Sequence, residues 1–461
     1  MTANTNKKVD VLIRGGRLVT EGGSFQGSVA ISKGIIVGFL APDTQLEAEK
    51  VIDADGCVVL PGLIDPHVHL FSPGSLEFRE DFYCGTQAAA AGGVTTIITM
   101  PLDIPPLIDR ESFDSKREAA KSQSVVDFAF WGGLIPKNIQ NLSDLHELGC
   151  VAFKAFMSYG EDFYPNMPDQ FLFEAMKKVA SFNGLIGVHA ENADIVAHYS
   201  KLLKENERVD GEAHSDARPE IAELEAIQRA ILFAEYANCR LHICHMSTDK
   251  GAETVCSAKK RGVRVTSETC HHYLTLDRSE LSLKGNFVKC NPPLRDKETV
   301  ERLWQYVLKG YVDCIASDHG PFTDEQKQGG GKSIWDAPAG FGGIDAMLPL
   351  IIDEGVKKRG LALETLAKIT STNAAKIFGL YPKKGSLLIG GDADITILDL
   401  NKEWVYSGKA TLSKTKSSNS PFEGRKIRGK VVATLVRGQT VYQEGQILVK
   451  PGTGRYISRC I

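Results

Sequence analysis

Apolar and polar positions follow two different rhythms along this chain. Up to about residue 58 the apolar runs are short (residues 9–13, 28–31 and 35–39) and glycine-containing turns separate them. That texture predicts small antiparallel strands. From residue 60 the runs stay short but longer helical patterns follow each one, at 95–100, 126–130, 151–153, 185–188, 241–244, 263–266 and 313–316. With the run 58–64 they make eight strand candidates, most spaced widely enough for crossover helices. Eight parallel strands with intervening helices predict an α/β fold of the TIM-type (β/α)8 class, whose C-terminal strand ends are where chemistry is expected. Beyond residue 385 the strand texture returns, at 393–398 and 431–436. The two chain ends are therefore expected to form one small β-sandwich: residues 1–58 its first part, 59–384 the barrel, 385–461 its second part and a tail.

No internal repeat is visible. The one low-complexity stretch, Gln328-Gly329-Gly330-Gly331-Lys332, sits in a long polar loop after the eighth strand, at about residues 321–338. A lid over the active face and a plain connector both fit it.

Composition narrows the function. The 461 residues carry 54 basic and 57 acidic side chains for a net charge of −3, spread along the chain, so no nucleic-acid surface or polybasic anchor is expected. No apolar run is long enough for a bilayer, and the N-terminal residues lack the apolar core of a signal peptide. Ten cysteines at scattered positions, with no Cys-x-x-Cys pair, read as reduced thiols of a cytoplasmic protein.

Chemistry-bearing residues cluster at the predicted strand ends. In Asp65-Pro66-His67-Val68-His69 the two histidines are two apart, so an extended segment turns both imidazoles to one side, as a shared metal requires. Four more ends offer Lys154, His189, His245 and Asp318. Singly, each histidine could be a hydrogen-bonded packing residue; five ends together point to a metal centre. Lys154 lies between Phe153 and Phe156, where a charged amine is disfavoured. It either snorkels to solvent, pairs with an acid, or reacts as a neutral amine with carbon dioxide to give a carbamate that bridges two ions.

These motifs resemble the amidohydrolase superfamily, and within it the cyclic-amidase group of allantoinases, hydantoinases and dihydropyrimidinases. The matching pieces run from Pro61-Gly62-Leu63-Ile64-Asp65-Pro66-His67-Val68-His69 through Ala91-Gly92-Gly93-Val94-Thr95-Thr96, Phe153-Lys154-Ala155-Phe156-Met157, Val188-His189-Ala190-Glu191, Cys290-Asn291-Pro292-Pro293-Leu294-Arg295 and Ser317-Asp318-His319 to Gly391-Asp392-Ala393-Asp394. The resemblance implies two divalent ions, usually zinc. One would be held by His67, His69, Asp318 and Lys154 as N6-carboxylysine, the other by Lys154, His189 and His245. It also implies ring opening by hydrolysis, a homotetramer, and Asp318 as both ligand and proton shuttle. His319 is left to support or packing.

The ring itself is read from neighbours of these ligands. A dihydroorotase would be expected to carry a carboxylate-reading arginine two positions beyond His69; this chain has Phe71 there, which favours a neutral cyclic amide or ureide. Met100-Pro101-Leu102, the segment 239–245 and Glu268-Thr269-Cys270-His271-His272-Tyr273 are most similar to allantoinases. Tyr159, five residues past Lys154, is similar to the tyrosine with which hydantoinases and dihydropyrimidinases bond the developing oxyanion, although a structural tyrosine would read alike. Asn291 and the Ala339-Gly340 turn are similar to the segments that grip the ring amide, and a turn's own need for Asn or Gly would look the same. A non-catalytic scaffold of the group would lose ligands, and all six are present. The mononuclear deaminases are disfavoured by Lys154. The expected activity is hydrolysis of allantoin to allantoate, with hydantoin or dihydropyrimidine opening as the alternative.

Overall fold

The computed structural model describes residues 8–329, 331 and 333–460; Gly330 and Lys332 of the low-complexity stretch lie outside them. Eight consecutive parallel strands form one sheet: β1 Leu63–Val68, β2 Val94–Thr99, β3 Asp127–Gly133, β4 Ala152–Phe156, β5 Leu185–His189, β6 Arg240–Ile243, β7 Val265–Cys270 and β8 Cys314–Ala316. Every predicted barrel strand is present. The seam between β8 and β1 is closed just past the strand ends, by a bridge between Val68 and His319 and by His69 N–H donating to His319 O at 2.8 Å. Inside the seam, Ser317 N–H donates to the buried Asp65 carboxylate at 3.1 Å.

Helices follow the strands and cover the sheet, their starts fixed locally. Asp81, Asp109, Asn192 and Thr248 each accept a backbone N–H of the first turn at helices Phe82–Ala91, Arg110–Gln123, Ala193–Glu205 and Asp249–Lys260; such caps contribute about 1 kcal/mol apiece. The barrel interior is filled, with Trp131 of β3 fully buried and its indole N–H donating to Pro66 O at 2.8 Å beneath the histidines. Gly187 of β5 makes room for it, since a Cβ there would stand 2.5 Å from the indole ring.

Both chain ends contribute to the flanking sheets, as expected, and they meet in the larger of the two. A four-stranded sheet runs in the order Ile35–Leu40, Ser28–Ser32, Val9–Arg14, Ala48–Asp53. In a seven-stranded sheet, Ile395–Val405 pairs antiparallel with Val58–Pro61, Ile395 opposite Pro61 and Leu398 opposite Val58. The apolar run 58–64 therefore divides. Its first half lies in the flanking sheet and its second is β1, with Gly62 as the joint, where a Cβ would meet Thr95 Oγ1 at 2.3 Å. The tail returns to the barrel: Phe128 N–H donates to Arg455 O at 3.0 Å, and Tyr456 packs on Phe113, Phe128 and Phe130.

Candidate metal centre

The C-terminal strand ends bring all six predicted ligands into one buried cluster. His67 stands one residue before the end of β1 and His69 one past it, Lys154 lies within β4, His189 ends β5, His245 stands two residues past β6 and Asp318 two past β8. Their rings form a row: His69 to His67 5.4 Å between centroids, His67 to His245 5.1 Å, His245 to His189 4.6 Å. Asp318 caps one end, its Oδ1 3.2 Å from His69 Nε2 and 3.3 Å from His67 Nε2. Lys154 joins the other end, with Nζ 3.4 Å from His245 Nε2, which is itself 3.1 Å from His189 Nδ1.

Supporting carboxylates fix which nitrogens face inward. His67 Nδ1–H donates to Glu268 Oε1 at 2.5 Å, leaving Nε2 with its lone pair toward Asp318. His189 Nε2–H donates to Glu191 Oε2 at 2.7 Å, leaving Nδ1 toward His245. This carboxylate–imidazole pairing sets tautomer and ring orientation in metal sites. Glu268 also meets His242 Nε2 at 3.2 Å and accepts the His245 backbone N–H, while Glu191 is paired with Arg218.

Electrostatics keep His69, His189 and His245 neutral and Asp318 charged. Burial pushes His69 down to about 4 against the pull of Asp318, and it holds His189 below and His245 well below the usual histidine range, Lys154 adding to the shift in His245. For Asp318 burial works the other way, but the histidines around it outweigh that and bring it to about 2. Asp65, deeper in the seam, is raised by burial to about 7.

The donor set fits divalent cations. His189 Nδ1 and His245 Nε2 turn toward the same space 3.1 Å apart, close enough to bind one divalent ion together. His245 Nδ1 is buried with no partner. Lys154 is fully buried, and its amine's contact is an imidazole; among the described residues no carboxylate pairs with it. A buried ammonium left uncompensated is costly, and conversion to a carbamate would supply the missing anion. Backbone strain marks the same spot: His245 and Asp318 both hold positive φ, 35° and 46°, conformations that side-chain-bearing residues adopt only where the surroundings impose them.

The remaining predicted residues divide. Asn291 lies past the short helices that follow β7, with its Oδ1 buried and unpartnered, free to meet a ligand. Gly340 donates its N–H to Lys289 O at 2.9 Å and lies 3.9 Å from where a Cβ on Gly320 would stand; Ala339 precedes it, half-buried. Tyr159 is not gathered into the cluster. It is 75% exposed, with its hydroxyl 3.3 Å from Asp162 Oδ1. His319 accepts the Gly343 N–H on Nδ1 and faces Glu80 at 3.5 Å, so it braces the β8 end from behind. Sequence reasoning assigned no role to Glu268, Glu191, Arg218 or Asp65. A carboxylate inside a buried strand, as Glu268 is, or two residues past a ligand, as Glu191 is, is the signal that could have found them.

A model described as the amidohydrolase family matches residues 58–441. An allantoinase from Rubrobacter xylanophilus is 41% identical over 450 residues, 97% of each chain. An L-hydantoinase from Paenarthrobacter aurescens is 35% identical over 98% of each. Among solved structures, the L-hydantoinase (dihydropyrimidinase) from Arthrobacter aurescens matches 98% of this chain and 100% of its own, with TM-score 0.95 and 35% identity. The dihydropyrimidinase from Brevibacillus agri NCHU1002 matches with TM-score 0.90 and 31% identity, covering 97% of this chain and 98% of its own.

Proposed function

The chain belongs to the amidohydrolase family, and from that membership we propose that it opens a neutral cyclic amide by hydrolysis, with allantoin as substrate and allantoate as product. The observation that carries the reaction class is the buried row of four imidazoles, with Asp318 at one end and an acid-free Lys154 at the other. Similarity to several allantoinases at 36–41% identity supports the ring. The structural likeness to hydantoinases and dihydropyrimidinases favours hydantoins or dihydropyrimidines as the alternative.

Two divalent ions, zinc as the family resemblance implies, would be held by His67, His69, Asp318 and carboxylated Lys154, and by Lys154, His189 and His245. When bound they supply Lewis acidity toward the amide carbonyl and a water that is acidic at neutral pH. Asp318 is placed to take the proton of the attacking water and return it to the departing ring nitrogen; its low pKa keeps it unprotonated beforehand. Asn291 and the Ala339-Gly340 backbone hold the ring amide. Tyr159 joins only if the loop carrying it turns the hydroxyl inward from Asp162, to donate to the developing oxyanion.

Ten free cysteines support a reducing, cytoplasmic setting. The homotetramer would cover apolar surface such as Ile221, Leu232 and Tyr236 on helix Glu220–Ala237.

A panel of allantoin, hydantoin, 5-substituted hydantoins and dihydrouracil with metal-reconstituted protein tests the ring. Allantoin should have the highest kcat/KM; a higher value for dihydrouracil or plain hydantoin transfers the assignment to the alternative. Lys154→Ala should lose bound metal and activity together, and a metal-loaded, active variant would remove the carbamate from the mechanism.

A further inference from the structure

The Arg79 guanidinium has no partner that explains it. Its carbon lies 4.2 Å over the centroid of Phe322 and 5.6 Å from that of Phe71. Its Nε is buried with no acceptor, and no carboxylate of the described residues pairs with it. Both supporting rings border the proposed site. Phe71 stacks on the ligand His69 with centroids 6.5 Å apart, and Phe322 lies where a Cβ on Gly340 would meet it at 3.0 Å. A guanidinium resting on aromatic faces keeps its N–H groups free along the edge, pre-oriented for a planar acceptor at low entropic cost.

We propose that Arg79 reads the exocyclic urea carbonyl of a 5-ureidohydantoin, so that this residue, rather than the ring-binding groups, sets the preference for allantoin over plain hydantoins. The assignment rests on the reading of the site as a cyclic-amide hydrolase. Allantoin and hydantoin share the scissile ring and differ in the ureido arm, which offers one carbonyl oxygen to accept and N–H groups to donate. Arg79 supplies the matching donors. In the sequence, Phe71 stands where an anion-reading arginine was absent; in the fold it becomes the shelf for a different arginine.

The test is steady-state kinetics of the full-length, metal-loaded enzyme on allantoin and on unsubstituted hydantoin, with Arg79→Met and Arg79→Lys. A charged hydrogen bond contributes enough that Arg79→Met should lower the ratio of kcat/KM for allantoin to that for hydantoin about 10- to 100-fold, mainly through KM. Arg79→Lys should restore part of the ratio. An unchanged ratio in Arg79→Met, whether both activities fall together or neither does, overturns the assignment, as does a wild-type enzyme that opens hydantoin but not allantoin. A wild-type enzyme active on neither ring overturns the cyclic-amide reading instead.

Discussion

Glu268 joins two imidazoles and a backbone amide at the centre of the cluster, and Glu191 joins an imidazole to Arg218. Neither touches the reacting bond, yet each decides which nitrogen its histidine presents. Glu268→Gln should weaken metal binding about 10- to 100-fold in chelator competition; unchanged affinity would show that packing alone holds His67. Glu191 also makes stability depend on pH. Burial opposes its charge, but Arg218 and His189 outweigh that and hold it at about 2, below the ordinary 4.5. Its contribution is thus complete above pH 4.5 and is lost as pH falls toward 2, on the order of 3 kcal/mol. Urea unfolding of chelator-treated protein should steepen with acid in the wild type and flatten in Glu191→Gln; parallel curves would contradict the pairing. The ligands were legible because strand geometry turns residues two apart to one side. Glu268 was not, because its partner His67 lies on another strand, β1 against β7; Glu191 stands two residues past His189, but spacing alone does not tell an orienting acid from a surface one. Tyr159 shows the same limit: its spacing from Lys154 is readable, but the loop's contacts decide where the hydroxyl points. If it swings inward during turnover, Tyr159→Phe should lower kcat far more than it raises KM; equal kcat would remove it from the reaction.

All eight barrel strands were legible from short apolar runs followed by helical patterns, since each strand is buried on both faces. The flanking sheets were read in part. Arg17–Thr20, Gly23–Gln26 and Ala48–Asp53 are short and half-exposed, and they carry too little alternation to stand out. The joint at Gly62 escaped for another reason: apolar residues continue across it while the chain changes sheets. The segment after β8 is held by a device invisible in the sequence. Lys289 Nζ donates to Ile334 O and Ala337 O at 2.7 and 2.5 Å, and Lys327 Nζ to Pro338 O and Lys289 O at 2.9 and 3.3 Å. Two buried ammonium groups thus tie the backbone before Ala339-Gly340 to the backbone before Asn291, the two proposed grips on the ring. Lys327→Met should raise KM several-fold and speed proteolytic cutting of the loop after β8, with bound metal retained. An unchanged KM together with unchanged cleavage would show that the loop is set without the clamp.

At the scale of the whole molecule, the barrel and the flanking sheets are joined by a buried charge cluster at the foot of β3. Lys384 Nζ lies 2.5 Å from Asp127, 2.6 Å from Asp394 and 2.9 Å from Asp392, and Arg437 pairs with Asp127 as well. The three carboxylates are close enough to hold a metal ion, but the ammonium occupies that place. In the sequence, Gly391-Asp392-Ala393-Asp394 served only as a mark of resemblance; in the fold its acids bind a lysine before the last strands to an aspartate at the start of β3. Such a cluster adds less to stability than its short distances suggest, because every member was taken out of water. Removing one partner is another matter, since it leaves the others charged and unmatched. Lys384→Met should therefore cost about 3–5 kcal/mol in urea unfolding, while the folded variant keeps its metal and its kcat, since the cluster lies at the opposite end of the strands from the histidines. Adding Asp394→Asn to that variant removes one of the stranded charges and should recover part of the loss. A double variant as unstable as the sum of the two single changes would mean that Lys384 acts by packing, and that the two sheets are joined to the barrel by apolar contact alone.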